Sequence, residues 1–201
     1  MKKLLLLLII LFVSISGAFA QYYHNDNAAP KIGFGLSSGA ATGITSGYYP
    51  EAGGISLNFE LPLGKSPVSL LFATGYTFYV SGGGYSADYY NYDGYSDYGG
   101  GADYYGDVAS FIPVEAGLKI YIHRKLFIEG YAGASFNVNT YASDYTGRTT
   151  AFVYSPGIGY TLSEGYSGRS SFDVGLMYEN RLEPGGGYSQ VALRAVWNFS
   201  L

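Results

Sequence analysis

The chain has 201 residues, with 11 Lys and Arg against 15 Asp and Glu, 30 Gly, 23 Tyr and no Cys. This acidic balance offers no clustered basic footprint for nucleic acid, and the lack of Cys excludes disulfide staples. Abundant Gly and Tyr, little charge and no apolar run long enough for a spanning helix after residue 20 point to an all-β chain in a membrane setting.

Lys2 and Lys3 precede an apolar run from Leu4 to Val13, and Ala18-Phe19-Ala20 forms a small-x-small cleavage site before Gln21. That is the pattern of a secretory signal peptide over residues 1–20. Residues 21–30 read as a periplasmic tail and residues 31–201 as one domain. Removing Lys2 and Lys3 leaves nine bases against fifteen acids, a net charge of −6 for the exported chain.

Eight alternating segments follow. Side chains of a strand point to opposite faces in turn, so each segment can be split into two registers. In Lys31 to Ala40, Ile32, Phe34 and Leu36 oppose Gly33, Gly35 and Ser37. A Gly- and Thr-rich loop, 41–54, leads to Ile55 to Leu63, with Ile55, Leu57, Phe59 and Leu61 against Ser56, Asn58 and Glu60. After the turn at Gly64-Lys65-Ser66, Pro67 to Ser81 sends Val68, Leu70, Phe72, Tyr76, Phe78 and Val80 outward.

The long insertion 82–107 precedes Ala109 to Ile122, the cleanest alternation, with Ile112, Val114, Ala116, Leu118 and Ile120 opposing Glu115, Gly117, Lys119 and Tyr121. His123-Arg124-Lys125 makes a short turn into Leu126 to Asn139, where Glu129, Tyr131, Ser135 and Asn137 share the polar register. The sixth segment, Thr150 to Leu162, contains Pro156, which cannot donate to a ladder and predicts a bulge or local break. The seventh, Ser171 to Arg181, sets Phe172, Val174, Leu176 and Tyr178 against Asp173, Glu179 and Arg181.

The last segment, Tyr188 to Leu201, places Val191, Leu193, Ala195, Trp197, Phe199 and Leu201 on one face and Gln190, Arg194, Asn198 and Ser200 on the other. It is far longer than the five or six residues usual for a strand in a soluble sandwich. About nine to eleven tilted residues cross a bilayer, so the length suits a membrane strand.

The connections run long, short, long, short, long, medium and then a Gly-rich loop, as an up-and-down barrel with turns at one end and longer loops at the other requires. An even number of antiparallel strands can close, and closure leaves no unpaired edge in lipid. Eight strand charges, Glu60, Glu115, Lys119, Glu129, Asp173, Glu179, Arg181 and Arg194, all fall on the polar register. Arg or Lys facing lipid at the midplane costs about 2–4 kcal/mol, so these charges are expected inside, paired with one another. The expected links join Arg194 or Lys119 to Glu115, Glu129 or Asp173.

Lys65, Arg124, Lys125 and Arg169 lie in short connections, whereas Glu51, Asp88, Asp93, Asp97, Asp103, Asp107, Asp144 and Glu183 lie in long ones. One end is therefore basic and the other acidic. Trp197, Phe199, Tyr160 and Phe172 near the first end, and Phe78, Phe136, Phe152 and Tyr178 near the second, suit aromatic belts.

With a signal peptide, eight amphipathic strands and a terminal strand ending in aromatics, residues 31–201 resemble the small outer membrane β-barrels of the OmpX and OmpA transmembrane type, in particular the porin-family barrels of Bacteroidetes. The resemblance implies an outer membrane location, contact with outer membrane lipid, and recognition of the closing strand by the barrel-assembly machinery through Arg194, Trp197, Phe199 and Leu201. Catalytic members of such barrels need a histidine near the outer rim. Here His24 lies in the tail and His123 in a periplasmic turn, so no enzyme is expected.

The insertion 82–107 carries eight Tyr, five Asp and no positive charge. Tyr with Gly and Ser is the composition of adaptable binding loops, which makes Tyr85, Tyr89, Tyr90, Tyr92, Asp93, Tyr95, Asp97 and Tyr98 candidates for contact with a surface ligand or envelope protein. The same composition also suits a loop that only shields the barrel mouth. Asn91, Asp93 and Asp97 could offer oxygens to Ca²⁺, although their spacing is not that of an EF-hand, and no cofactor is expected. Three readings stand: a structural or interaction barrel, a narrow conduit for small amphiphiles of the OmpW kind, and a secreted soluble β-sandwich.

Overall fold

A computed structural model describes residues 29–64, 66–82, 108–138, 149–164, 170–183 and 187–201. The signal segment, most of the tail and the candidate loop positions Tyr85, Tyr89, Tyr90, Asn91, Tyr92, Asp93, Tyr95, Asp97 and Tyr98 lie outside the described residues.

Eight strands form one closed antiparallel barrel in chain order. They are β1 (Lys31–Thr42), β2 (Glu51–Pro62), β3 (Val68–Val80), β4 (Val108–Tyr121), β5 (Leu126–Asn137), β6 (Thr150–Glu164), β7 (Ser170–Leu182) and β8 (Tyr188–Ser200). A short 3-10 helix, Ile44–Gly47, sits in the first connection. The cylinder closes by pairing β1 with β8 from Lys31↔Ser200 to Thr42↔Ser189, and the amide of Leu201 adds a bond to the carbonyl of Pro30. Every strand thus finds a partner on both sides, which is what a sheet in lipid needs.

Period-two alternation carries through all eight strands. Phe34, Leu36, Ile55, Phe72, Val114, Ile158, Leu193 and Trp197 are exposed on the outer face, while Asn58, Glu60, Lys119, Asp173, Glu179, Arg181 and Arg194 are buried inside. Leu193 is 70% exposed beside a neighbour, Arg194, that is 8% exposed, so adjacent residues of one strand occupy opposite environments. A surface this apolar around a charged interior inverts the arrangement of a soluble sandwich and fits a barrel bathed in lipid. Several outward polar groups find partners on neighbouring strands. Tyr76 donates its hydroxyl to Ser110 Oγ (2.7 Å), Asn180 Nδ2 donates to Tyr154 Oη (3.0 Å), and Thr74 Oγ1 donates to the Pro113 carbonyl (2.9 Å).

One boundary departs from the sequence reading, and one ladder breaks at the proline where a bulge or local break is expected. β2 starts at Glu51, so the first long connection shrinks to 43–50. Gly53 and Gly54 have no side chains to carry an alternation, yet their backbone pairs with Ser37–Ser38 and Thr77–Phe78, and the Phe78 ring lies 2.9 Å from where a Gly53 Cβ would be. At Pro156 the β6–β7 ladder skips from Tyr154↔Asn180 to Gly157↔Met177 without changing register, so the proline makes a break and no bulge. The register shift comes later, between Thr161 and Ser163. Pro113 interrupts β3–β4 in the same way, from Thr74↔Val114 to Thr77↔Phe111.

Candidate functional site

A barrel of eight strands leaves room inside for side chains alone, so the lumen is where sequence and structure bear most directly on function. Its contents form three tiers. Nearest the short turns, Lys119 of β4 reaches across the cylinder to Glu60 of β2 (3.2 Å) and Asp173 of β7 (2.8 Å). Ser69 donates to Glu60 (2.9 Å), while Thr161 (2.7 Å) and Asn198 (3.0 Å) donate to Asp173. The ammonium also lies 4.0 Å from the Phe127 ring centroid and 5.0 Å from that of Tyr121, so an aromatic face covers the side the carboxylates leave open.

In the middle tier Arg194 of β8 donates to Glu129 (3.0 Å) and to the Tyr131 hydroxyl (3.1 Å), both on β5, and to Asn58 on β2. Tyr131 in turn donates to the other Glu129 oxygen (3.1 Å), which closes a ring of three groups around one guanidinium. Glu115 takes its bond from Ser155 (2.9 Å).

Towards the long loops Glu179 accepts from Gln190 (3.3 Å), and Arg181 pairs with Glu183 and donates to the Ser135 carbonyl. The Arg181 guanidinium lies 4.4 Å from the centre of the Phe111 ring. Phe111, Tyr79 and Tyr188 then pack with centroids 4.9–5.9 Å apart over Ala41, Ala52 and Ala109, with Tyr49 against them. These rings cap the ionic tiers with an apolar plug.

All eight charges singled out from the sequence therefore face the lumen. Lys119 and Arg194 take Asp173 and Glu129, as two of the expected links have it, but Glu60 is a further partner of Lys119, and Glu115 is held by a hydroxyl in place of a cation. Glu183, read as a loop acid, has a side chain only 1% exposed against Arg181. Sequence reasoning passed over Tyr79, Phe111 and Tyr188 as functional residues. Their inward parity was the available signal, since Tyr79 follows the inward Thr77 by two residues and Tyr188 precedes Gln190 by two. Of the four closing-strand residues, Arg194 is committed inside, whereas Trp197, Phe199 and Leu201 are exposed outside, with Trp197 and Phe199 rings 5.2 Å apart.

Little space remains. Among the described residues two cavities of about 20 and 40 Å³ lie in the lumen, one bordered by Lys119, Glu129 and Asp173 and the other by Glu115, Glu179 and Thr77. Each holds water-sized molecules at most. No cluster of three or more metal-ligating side chains occurs among the described residues.

Two solved structures share this closed cylinder. The outer membrane protein Ail of Yersinia pestis, in a phospholipid bilayer nanodisc, matches with a TM-score of 0.51 and 14% identity over 86% of this chain and 100% of its own. Neisserial surface protein A matches with a TM-score of 0.50 and 12% identity over 86% of this chain and 97% of its own. The chain has the fold of the small eight-stranded outer membrane β-barrels. No family model and no curated protein matches it. Identities this low mean that what this barrel shares with Ail and the neisserial protein is the fold alone.

Proposed function

We propose that the protein resides in the outer membrane and serves a structural or interaction role, with a sealed lumen and external loops as its contact surface. The observation that supports this reading is the filled interior: three ionic tiers and an aromatic plug occupy it, and the two cavities lined by the ionic tiers are water-sized. The fold supports the location. A conduit for amphiphiles needs a continuous path, and the Lys119, Arg194 and Arg181 tiers lie across it.

The purified barrel in planar bilayers is expected to give no stable single-channel steps. Reproducible unitary conductance would overturn the sealed-lumen reading. The loop 82–107 supplies the interaction half of the proposal through its Tyr, Gly and Asp composition. Cross-linking from intact cells should capture an envelope protein or surface ligand with the full chain and lose it when 82–107 is deleted. Capture that survives the deletion sinks that half. The exposed Trp197, Phe199 and Leu201 are the residues we assign to recognition by the barrel-assembly machinery, and the role is non-enzymatic, with His123 exposed in a short turn.

A further inference from the structure

The β4–β5 hairpin carries two features that the sealed lumen does not use. At its tip, the turn 122–125 presents His123 and Arg124 to solvent with Lys125 half-buried beside them. The turn is fixed: Ile122 and His123 donate backbone bonds to the Leu126 carbonyl, and the Lys125 carbonyl accepts from Thr161 (2.8 Å). Further along the outer face of the same two strands lies a depression of about 500 Å³, with Ala116, Gly130 and Ala132 as its floor and Leu118, Ile120 and Ile128 towards the turn.

The depression exists because of register. The row Phe72, Ala116, Ala132, Tyr154 places two small residues between two rings, and the next row, Leu118, Gly130, Pro156, has no side chain at its centre. Nothing lies within 4 Å of where a Gly130 Cβ would be. From Arg124 to Gly130 is roughly 20 Å of tilted strand, or about 15 Å along the membrane normal. That is half of a hydrocarbon core about 30 Å thick, the depth of one leaflet.

We propose that this hairpin binds one anionic phospholipid of the inner leaflet, its headgroup on Arg124 and Lys125 and an acyl chain in the depression. The inference rests on the membrane placement proposed above. Charge complementarity selects the headgroup, because each Lys or Arg near an anionic lipid surface favours association, whereas the predominantly apolar depression selects a hydrocarbon chain.

The test is native mass spectrometry of the full chain in mild detergent, titrated with phosphatidylglycerol or phosphatidylcholine of identical chains. Wild type is expected to retain one phosphatidylglycerol in preference to phosphatidylcholine. The double variant Arg124→Gln/Lys125→Gln should bind phosphatidylglycerol about fivefold more weakly per removed cation and lose the preference. Gly130→Leu, whose Cβ would meet nothing within 4 Å, should weaken both lipids alike. Equal retention of the two lipids by wild type, or no effect of either variant, overturns the site. A dimer that Gly130→Leu converts to monomer would assign the depression to a second copy and also overturn it. The heat-dependent shift of a closed barrel on a gel, run on every variant, reads folding separately. Its absence from wild type would instead remove the membrane-barrel reading beneath the proposal.

Discussion

Replacing Lys119 by Met tests the lumen most directly. The ammonium bridges Glu60 and Asp173, at 3.2 and 2.8 Å, with all three side chains 7% exposed or less, and Lys31 is a more distant cation acting on both carboxylates. Removing one partner of a buried ion pair costs about 3–5 kcal/mol, chiefly because the remaining charge is left uncompensated. Here two carboxylates would be left, although Ser69, Thr161 and Asn198 still donate to them and soften the loss. The expected destabilisation of Lys119→Met is therefore about 3–5 kcal/mol, read as a lowered urea midpoint for unfolding from lipid vesicles. Adding Glu60→Gln and Asp173→Asn to the same chain removes both stranded charges and keeps an amide oxygen for Ser69 and for Asn198, while the new Asn amide can donate to the Thr161 hydroxyl. That triple variant should recover to within about 1–2 kcal/mol of wild type, since neutral groups of similar volume replace a buried ion cluster at little net cost. If Lys119→Met unfolds at the wild-type midpoint, or if the triple variant is no more stable than the single one, the electrostatic account of the interior is wrong.

Glu115→Gln should behave differently from Lys119→Met: Glu115 accepts from Ser155 and feels Arg194 only at a distance, without a salt bridge, so the substitution should leave stability within about 1 kcal/mol or raise it, by the same urea titration. Arg194→Leu strands Glu129 and strips donors from Tyr131 and Asn58, and a loss of about 3–5 kcal/mol is expected. Leu193→Arg, one residue away but 70% exposed on the outer face, should cost about 2–4 kcal/mol in vesicles. A soluble sandwich would tolerate it, so an unchanged midpoint counts against lipid around β8. Gly33→Val should hinder closure, because a Cβ at Gly33 meets Val196 at 2.9 Å and the Asn198 side chain as well. It should show as a reduced heat-dependent gel shift.

Which face each strand shows to lipid was legible residue by residue, because alternation is a local property and a charge in hydrocarbon costs enough to enforce it. Lys119, Glu129 and Arg194 could be turned inward from β4, β5 and β8 taken separately. The depression on β4–β5 was not legible, since Ala116, Gly130 and Ala132 become neighbours only through the register of two strands with a ring on either side. Gly53 and Gly54 hid the start of β2 for a related reason: a residue without a side chain leaves no mark on a hydropathy pattern, while the ladder uses only its backbone.

From the sequence alone came the number of strands, the inward turn of the charges and the alternation of turns and loops, each written into neighbouring residues at a period of two. Only the closed cylinder decided that Lys119 serves Glu60 as well as Asp173, that Arg194 meets Glu129 and leaves Glu115 to a serine, and that Tyr79, Phe111 and Tyr188 meet as a plug. Most of those contacts join strands that are not adjacent in the sheet, such as β2 with β4 and β5 with β8. Their partners depend on the stagger summed around the barrel, a quantity that no single segment contains.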